Sequence, residues 1–378
     1  MATNVSIFMS SSSDIIKSNS EMLEKFYFKC KKRKSISKSQ IPFDELCWTS
    51  FTITMICSVL TPMDLYRYLV EIGFIDTSVS SYCLQCSGQL TLIPSTTVID
   101  GCQLKCNNRI GVNGSTNKTK LCSKKFTIRR YSWFHKSHLT IHEILTLTYY
   151  WWSEISQKYV ENDLDLAHGT PIDWYNFCRE VSEDVVINNS EKIGGFGITV
   201  EIDESKFGKR KYNRGKRVEG VWVFGGVERI SGKCFLVAVS DRSANTLLDV
   251  IKEWILPGSI IISDCWKAYD KIEEHNNYIH LKVNHSLHFK DPENGAHTNQ
   301  IEGLWNLAKK SLPNTNRSKK MFAGSLATFM LRTKWKGKDG FKLFMQYAAK
   351  LYSDDSTTDV TETKRLKSAC KENILYFI

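Results

Sequence analysis

The chain has 378 residues, 42% of them hydrophobic and 24% charged, with a net charge of +11 and a pI near 9.0. That length predicts two or three folded units, the composition is that of a folded soluble protein, and the basic excess favours a polyanionic partner. A run of eighteen apolar residues is missing, which excludes a transmembrane helix, and the first residues lack the pattern of a secretory signal. The twelve cysteines therefore read as reduced thiols and metal ligands rather than disulfides.

Residues 1–40 are basic and Ser-rich and are expected to be disordered, and Lys31-Lys32-Arg33-Lys34 within them fits a nuclear localisation signal. A helical N-terminal segment is predicted over 41–80, with apolar periodicity from Met63 to Val70 and a stop at Gly73. Residues 81–130 hold a cysteine cluster that reads as a zinc ribbon. Cys83-Leu84-Gln85-Cys86 supplies one CxxC knuckle, whereas the second half is irregular, with Cys102, Cys106 and Cys122 all available. The assignment is Cys83, Cys86, Cys106 and Cys122, with Cys102 spare and Asn107–Leu121 as a polar loop. Residues 131–192 are expected to form a helical, helix-turn-helix-like DNA-binding region. It has one helix through Ile144–Trp152 and another over Asp173–Val181 after Pro171, and Tyr149, Trp151 and Trp152 fill its core.

Ser190–Phe196 reads as a linker, beyond which the pattern turns to short β-runs. Strands are predicted through Ile198–Asp203, Val218–Glu228, Cys234–Ser240, Ser259–Asp264 and Tyr278–Val283, with helices over Ala244–Trp254 and Thr298–Ser311. A three-strand meander, a helix, two strands and a helix match the ribonuclease H-like fold, an α/β mixed sheet with helices on its faces. This catalytic domain is drawn over 193–352, and residues 353–378 are left as a C-terminal tail. Cys178, Cys234 and Cys265 are expected to be core thiols.

Asp203 is predicted to close the first strand and Asp264 the fourth, and carboxyl ends of neighbouring strands gather at one edge of such a sheet. Asp at a strand end often only caps a turn. The third acid, Glu302, gives the set its meaning. In its helix Asn299, Glu302, Asn306 and Lys309 form a polar stripe opposite Ile301, Leu304, Trp305 and Ala308. Three carboxylates suit two Mg²⁺ or Mn²⁺ ions for phosphodiester chemistry, with Asn299 as an auxiliary ligand. Lys206, Lys209, Arg210, Lys211, Arg214, Lys216 and Arg217 follow Asp203 without an intervening basic-to-acidic reversal after Glu204, and with Lys309 they suit DNA phosphates. Trp222 and Trp305 are expected in the core rather than stacked on a base.

Three motifs extend the reading: Val200-Glu201-Ile202-Asp203-Glu204-Ser205, Ser263-Asp264-Cys265-Trp266-Lys267-Ala268-Tyr269, and His297-Thr298-Asn299-Gln300-Ile301-Glu302-Gly303-Leu304-Trp305. With His285 and His288 ahead of the last, residues 195–350 resemble the catalytic domain of Merlin-superfamily DNA transposases and their bacterial insertion-sequence relatives. The resemblance runs weakly upstream through the cysteines, where that family carries a zinc ribbon. It implies a DDE site of Asp203, Asp264 and Glu302 and two divalent metal ions. It implies cut-and-paste transposition by hydrolysis and strand transfer, acting on double-stranded DNA at terminal inverted repeats and a target. It also implies a structural Zn²⁺ and a homo-oligomer on DNA, in the nucleus and not at a membrane. The alternative is a transposase-derived, non-catalytic DNA-binding regulatory protein.

Overall fold

The computed structural model describes residues 48–78, 80–111, 119–208, 220–272, 277–284, 296–312 and 319–354. Residues 1–40, the Lys31–Lys34 motif, Lys209, Arg210, Lys211, Arg214, Lys216, Arg217, His285, His288 and 355–378 lie outside them. The chain divides into two compact units. One holds the residues up to Tyr175 together with the stretch from Asp339, and the other holds Asn176–Lys338.

In the first unit the predicted helical segment is two helices, α1 (Ser50–Val59) and α2 (Pro62–Glu71). Pro62 has no N–H to donate and forces the residue before it into extended backbone, so Thr61 instead caps α2 by accepting from the Asp64 amide. Strands β1 (Leu90–Pro94), β2 (Cys102–Cys106) and β5 (Lys125–Thr127) form an antiparallel sheet. Between β2 and β5 the predicted loop holds a hairpin of β3 (Arg109–Gly111) and β4 (Thr119–Leu121). Helix α3 (Ile141–Trp152) opens on a capping box between Thr140 and Glu143. It is followed by α4 (Gln157–Asp163) and α5 (Gly169–Asn189). Helix α5 outruns its prediction because Trp174, Cys178, Val181 and Val185 sustain a buried helical spacing. Of the three aromatics expected in the core, Trp151 is buried, with its ring 4.7 Å from that of Phe344 in α9 (Gly340–Asp354), while Tyr149 and Trp152 are half-buried.

The second unit is built on a mixed five-stranded sheet. Its strands are β7 (Thr199–Phe207), β8 (Val221–Glu228), β9 (Cys234–Val239), β11 (Ile260–Asp264) and β12 (Ile279–Val283), in the order β12-β11-β7-β8-β9. β7, β8 and β9 are an antiparallel meander, and β7, β11 and β12 pair in parallel. The predicted linker contributes β6 (Ile193–Gly194), parallel to β10 (Ile255–Leu256). Helix α6 (Ala244–Trp254) buries Leu247, Leu248, Val250 and Ile251, about 1.5–3 kcal/mol for each side chain taken out of water. It packs against a 3₁₀ turn, Lys267–Ile272, whose Tyr269 is fully buried. Helix α7 (Asn299–Ser311) buries Ile301, Leu304, Trp305 and Ala308, the predicted apolar stripe. Helices α8 (Lys319–Lys334) and α9 have no counterpart among the predicted elements. Of the three cysteines expected in the core, Cys178 is buried, Cys234 is half-buried and Cys265 is exposed, because Cys265 falls just past the end of β11. Among the described residues no helix is long and apolar enough to cross a membrane.

Candidate functional site

Two groups of chemistry-bearing side chains are assembled, one in each unit. In the first unit Cys83, Cys86, Cys106 and Cys122 bring their sulfurs within 4.8 Å of one another. The Cys83–Cys122 separation is 3.7 Å and the Cys86–Cys106 separation 3.4 Å. A tetrahedron of thiolates about 2.3 Å from zinc has edges of about 3.8 Å, so the four cysteines fit a zinc ion. Each half is a tight turn: Ser87 and Ser123, next after Cys86 and Cys122, have positive φ of 51° and 52°. The second knuckle is irregular in sequence because the β3–β4 hairpin is inserted into it. Its stem is closed by the Cys122 amide donating to the Asn108 carbonyl and the Cys106 amide to that of Lys124.

Without a metal the thiols share protons unequally. The Gly88 amide, helped by Asn108, Cys106 and Cys83 and opposed by burial, holds Cys86 down at about 6. The Asn108 amide lowers Cys106, but burial and the neighbouring thiols outweigh it and push that thiol up to about 12. Cys102 is buried elsewhere, its thiol directed at the Pro62 carbonyl at 3.5 Å, which leaves it out of the cluster.

The second group gathers on the sheet of the other unit. Parallel pairing of β7 and β11 runs Ile260↔Thr199, Ile261↔Val200, Ile262↔Glu201, and Asp264 and Asp203 each lie two residues beyond the last pair. Asp203 does not close its strand as predicted. β7 continues to Phe207 because its other edge stays paired with β8, where Asp203 faces Gly225. What ends at Glu201 is the pairing with β11, so the two aspartates sit where the strands part.

Side chains alternate along β7, so Glu201, Asp203 and Phe207 share a face, and Glu204 lies on the other. Helix α7 lies along the first of these faces. Its Trp305 indole N–H donates to Asp203 Oδ2 at 2.9 Å, and its Ile301 amide reaches Glu201 at 3.1 Å. Trp305 is 4% exposed, core as expected, yet its polar edge reaches the acid. Gly225 makes room for it: a Cβ there would lie 2.8 Å from the indole. On the opposite face Glu204 is held by the Tyr269 hydroxyl, which donates to it, and by Arg242 at 3.1 Å. The Arg242 guanidinium lies 3.9 Å from the Trp222 ring centroid and 4.8 Å from that of Trp266.

Asp203 is pushed up to about 7, first by burial, then by the charge of Glu204, with Asp264 adding to it. Hydrogen bonds from the Glu204 backbone and Trp305 pull the other way. A carboxylate held protonated near neutrality by burial and by neighbouring acids is one that a divalent cation would relieve, and the donors are the hard oxygens such a cation prefers.

Glu302 is exposed on α7, and the Thr298 hydroxyl donates to its Oε1 at 3.2 Å. Asn299 is exposed one turn earlier. Among the described residues the cysteines are the group of three or more potential metal ligands that is brought together, and Asp203, Asp264 and Glu302 do not form such a group. Of the predicted basic residues in the described part, Lys206 places its Nζ 5.3 Å from the Trp222 ring and exposed Lys309 places its own 5.8 Å from Phe207.

Sequence reasoning missed Glu201, Glu204, Arg229, Arg242 and Tyr269. The one signal for Glu201 was an acid in the same alternation as Asp203 within an otherwise apolar strand.

Residues 194–322 match the family described as the ISXO2-like transposase domain. A transposase-like protein of Haemophilus influenzae, itself uncharacterized, is 36% identical over 84 residues, 22% of this chain and 66% of that protein. The chain thus spans just under two thirds of that relative. Together these matches make the part of the chain they cover similar to transposase domains of the insertion-sequence type. A cryo-EM structure of a simian T-cell lymphotropic virus intasome with PP2A regulatory subunit B56 gamma aligns at 14% identity over 49% of this chain and 68% of its own. Its TM-score of 0.26 is too low to bear on the fold.

Proposed function

We propose that the chain is a DDE transposase of the Merlin superfamily, with a ribonuclease H-like catalytic domain that carries out cut-and-paste DNA transposition. The observation that carries this reading is the β7–β11 register, whose last pair, Ile262↔Glu201, lies two residues before both Asp264 and Asp203, with the Glu302 helix bonded to Asp203 through Trp305. A meander of three antiparallel strands extended in parallel by two more supports the ribonuclease H-like assignment.

In this reading Asp203, Asp264 and Glu302 hold two Mg²⁺ or Mn²⁺ ions, with Asn299 as an auxiliary ligand. When bound, such ions lower the cost of charge on the attacking and leaving oxygens of an in-line displacement. The chain's own residues do the rest. Asp203 gives up the proton that its buried, acidic setting retains, and the Trp305 indole keeps its carboxylate oriented. Tyr269 and Arg242 hold Glu204 on the far face of the strand.

Hydrolysis breaks the bond between phosphorus and the 3′-oxygen at a transposon end. The freed 3′-hydroxyl then forms a new bond to a target phosphorus and displaces that strand's 3′-oxygen. Lys206, the basic run 209–217 and Lys309 bind the phosphates of double-stranded DNA, at terminal inverted repeats and target. The cysteine cluster holds a structural Zn²⁺ in a ribbon that helps read the ends. Two ends are paired by a homo-oligomer, and Lys31–Lys34 directs the protein to the nucleus.

The test is cleavage of DNA carrying the element's own ends, with Mg²⁺ or Mn²⁺, by wild type and Asp264→Ala. Cleavage and joining that vanish in the variant support the reading. Tight binding of the ends without any cutting by the wild type, zinc and divalent metal being supplied, sinks it and leaves the DNA-binding regulator.

A further inference from the structure

Glu201 is an ionisable side chain with 0% exposure in the centre of the sheet, two residues before Asp203 and on the same face. Its two oxygens are divided between two tasks. Oε2 accepts from the backbone amides of Gln300 at 2.8 Å and Ile301 at 3.1 Å. Oε1 accepts from Arg229 Nε at 2.6 Å and lies 3.4 Å from His297 Nδ1. Arg229 in turn donates from Nη2 to the His297 carbonyl at 2.6 Å and accepts from the Gln300 side chain at 3.2 Å.

Gln300 and Ile301 are the second and third residues of α7, whose amides have no acceptor within the helix. A Ser, Thr or Asp at the cap position ordinarily takes them. Here Thr298 stands at the cap and makes no side-chain capping bond; its hydroxyl donates to Glu302 Oε1 instead. The strand has taken over the capping, and the residue relieved of it is turned onto the acid one turn along.

We infer that Glu201 is a positioning residue: a buried cap supplied from β7 that fixes the first turn of α7 and so sets Thr298 and Glu302 relative to Asp203. The inference rests on the reading of Glu302 as a metal-binding acid. It follows from a spatial constraint. Asp203 and Glu302 belong to different elements, and a ligand set spread over two elements is only as well defined as the joint between them. Trp305 on Asp203 makes one point of that joint, and Glu201 on the helix start makes the second.

Substituting Glu201→Gln tests it with little change of shape. The amide offers one acceptor and one donor where the carboxylate offers two acceptors, so either Arg229 or the two helix amides must face a donor. In the full-length protein, Mn²⁺ is titrated by electron paramagnetic resonance, with Asp264→Ala alongside, and hydrogen exchange is followed at Gln300 and Ile301.

The expected result is faster exchange at those two amides and Mn²⁺ binding weakened by about tenfold or more, with zinc content and DNA binding unchanged. A merely structural role would lower the folded fraction while leaving the Mn²⁺ affinity of the folded molecules as in wild type, and that result overturns the inference. If Glu201→Gln does not fold, Glu201→Asp replaces it. That variant keeps the charge but shortens the reach to the two helix amides, and wild-type exchange at Gln300 and Ile301 with a Mn²⁺ affinity equal to wild type then overturns the inference. If Asp264→Ala binds Mn²⁺ as well as wild type does, the metal reading itself has failed and the inference falls with it. An effect of Asp264→Ala alone, with Glu201→Gln binding normally, keeps the metal reading and rejects the positioning role.

Discussion

The cysteine group and the acidic group are built by opposite means. The four cysteines are drawn together by short-range devices: two tight turns at Ser87 and Ser123 and amides aimed along the knuckles. Their sulfurs are within 4.8 Å of one another, with Cys83–Cys122 at 3.7 Å and Cys86–Cys106 at 3.4 Å. Asp203 and Asp264 are placed by long-range pairing of β7 with β11, and Glu302 by a helix laid across the sheet. Ionised acids repel and have no proton to share, and the one most crowded, Asp203, answers by retaining a proton up to about 7.

The sharpest way to break that comparison is Asp264→Ala. It should lower end cleavage by about a thousandfold or more while leaving zinc content and the melting of the cysteine-bearing unit unchanged. Loss of zinc together with activity would show that the two groups are not independent. The converse change, Cys106→Ser, should prevent zinc retention during dialysis against a chelator and destabilise its own unit by on the order of several kcal/mol. Zinc retained at the wild-type level would remove Cys106 from the ligand set.

A smaller effect is expected from Gly225→Ala. The new Cβ would meet the rigid Trp305 indole at 2.8 Å and a terminal methyl of buried Leu236 at 2.7 Å. Chemical denaturation should show a loss of about 1–3 kcal/mol, with Asp203 deprived of its indole donor. Wild-type stability would mean that the indole is free to move.

The smallest is a pH effect on metal-free protein. Asp203 is raised from 3.8 in the unfolded chain to about 7 in the folded one, so the folded state holds a proton that the unfolded state has lost. Stability from this group is therefore fully present below about pH 4 and is lost as pH rises through about 7, on the order of 2 kcal/mol after allowing for solvent. Comparing denaturation at pH 5 and pH 8 for wild type and Asp203→Asn checks it. A slope identical in the two proteins assigns the effect elsewhere.

The two groups also differ in how legible they were. The four zinc-binding candidates could be read from spacing and polarity alone, even though a hairpin splits the second knuckle, because a thiol cluster announces itself by residue type. Helix α6 was legible to the residue, since Ser243 caps it and its apolar stripe is regular. Asp203, Asp264 and Glu302 could be named from their positions in predicted elements, but the end of β7 could not, because strand length on one edge depends on β8. Glu201 stands in the quoted Val200–Ser205 motif, but nothing in the sequence assigns it a partner. Only the arrival of Arg229 and the α7 amides makes its burial tenable.

By itself, then, the amino-acid order determined what short-range physics controls: helix starts at capping residues, the breaks at Pro62 and Gly73, the alternation of β7, and the chemical types available to each site. The tertiary structure alone decided the order of the five strands, the register of β11 on β7, the indole turned onto Asp203 and the capping of α7 from a strand a hundred residues away. Those features depend on pairings between distant segments, whose energies arise only once the sheet has formed and water has been excluded from between them.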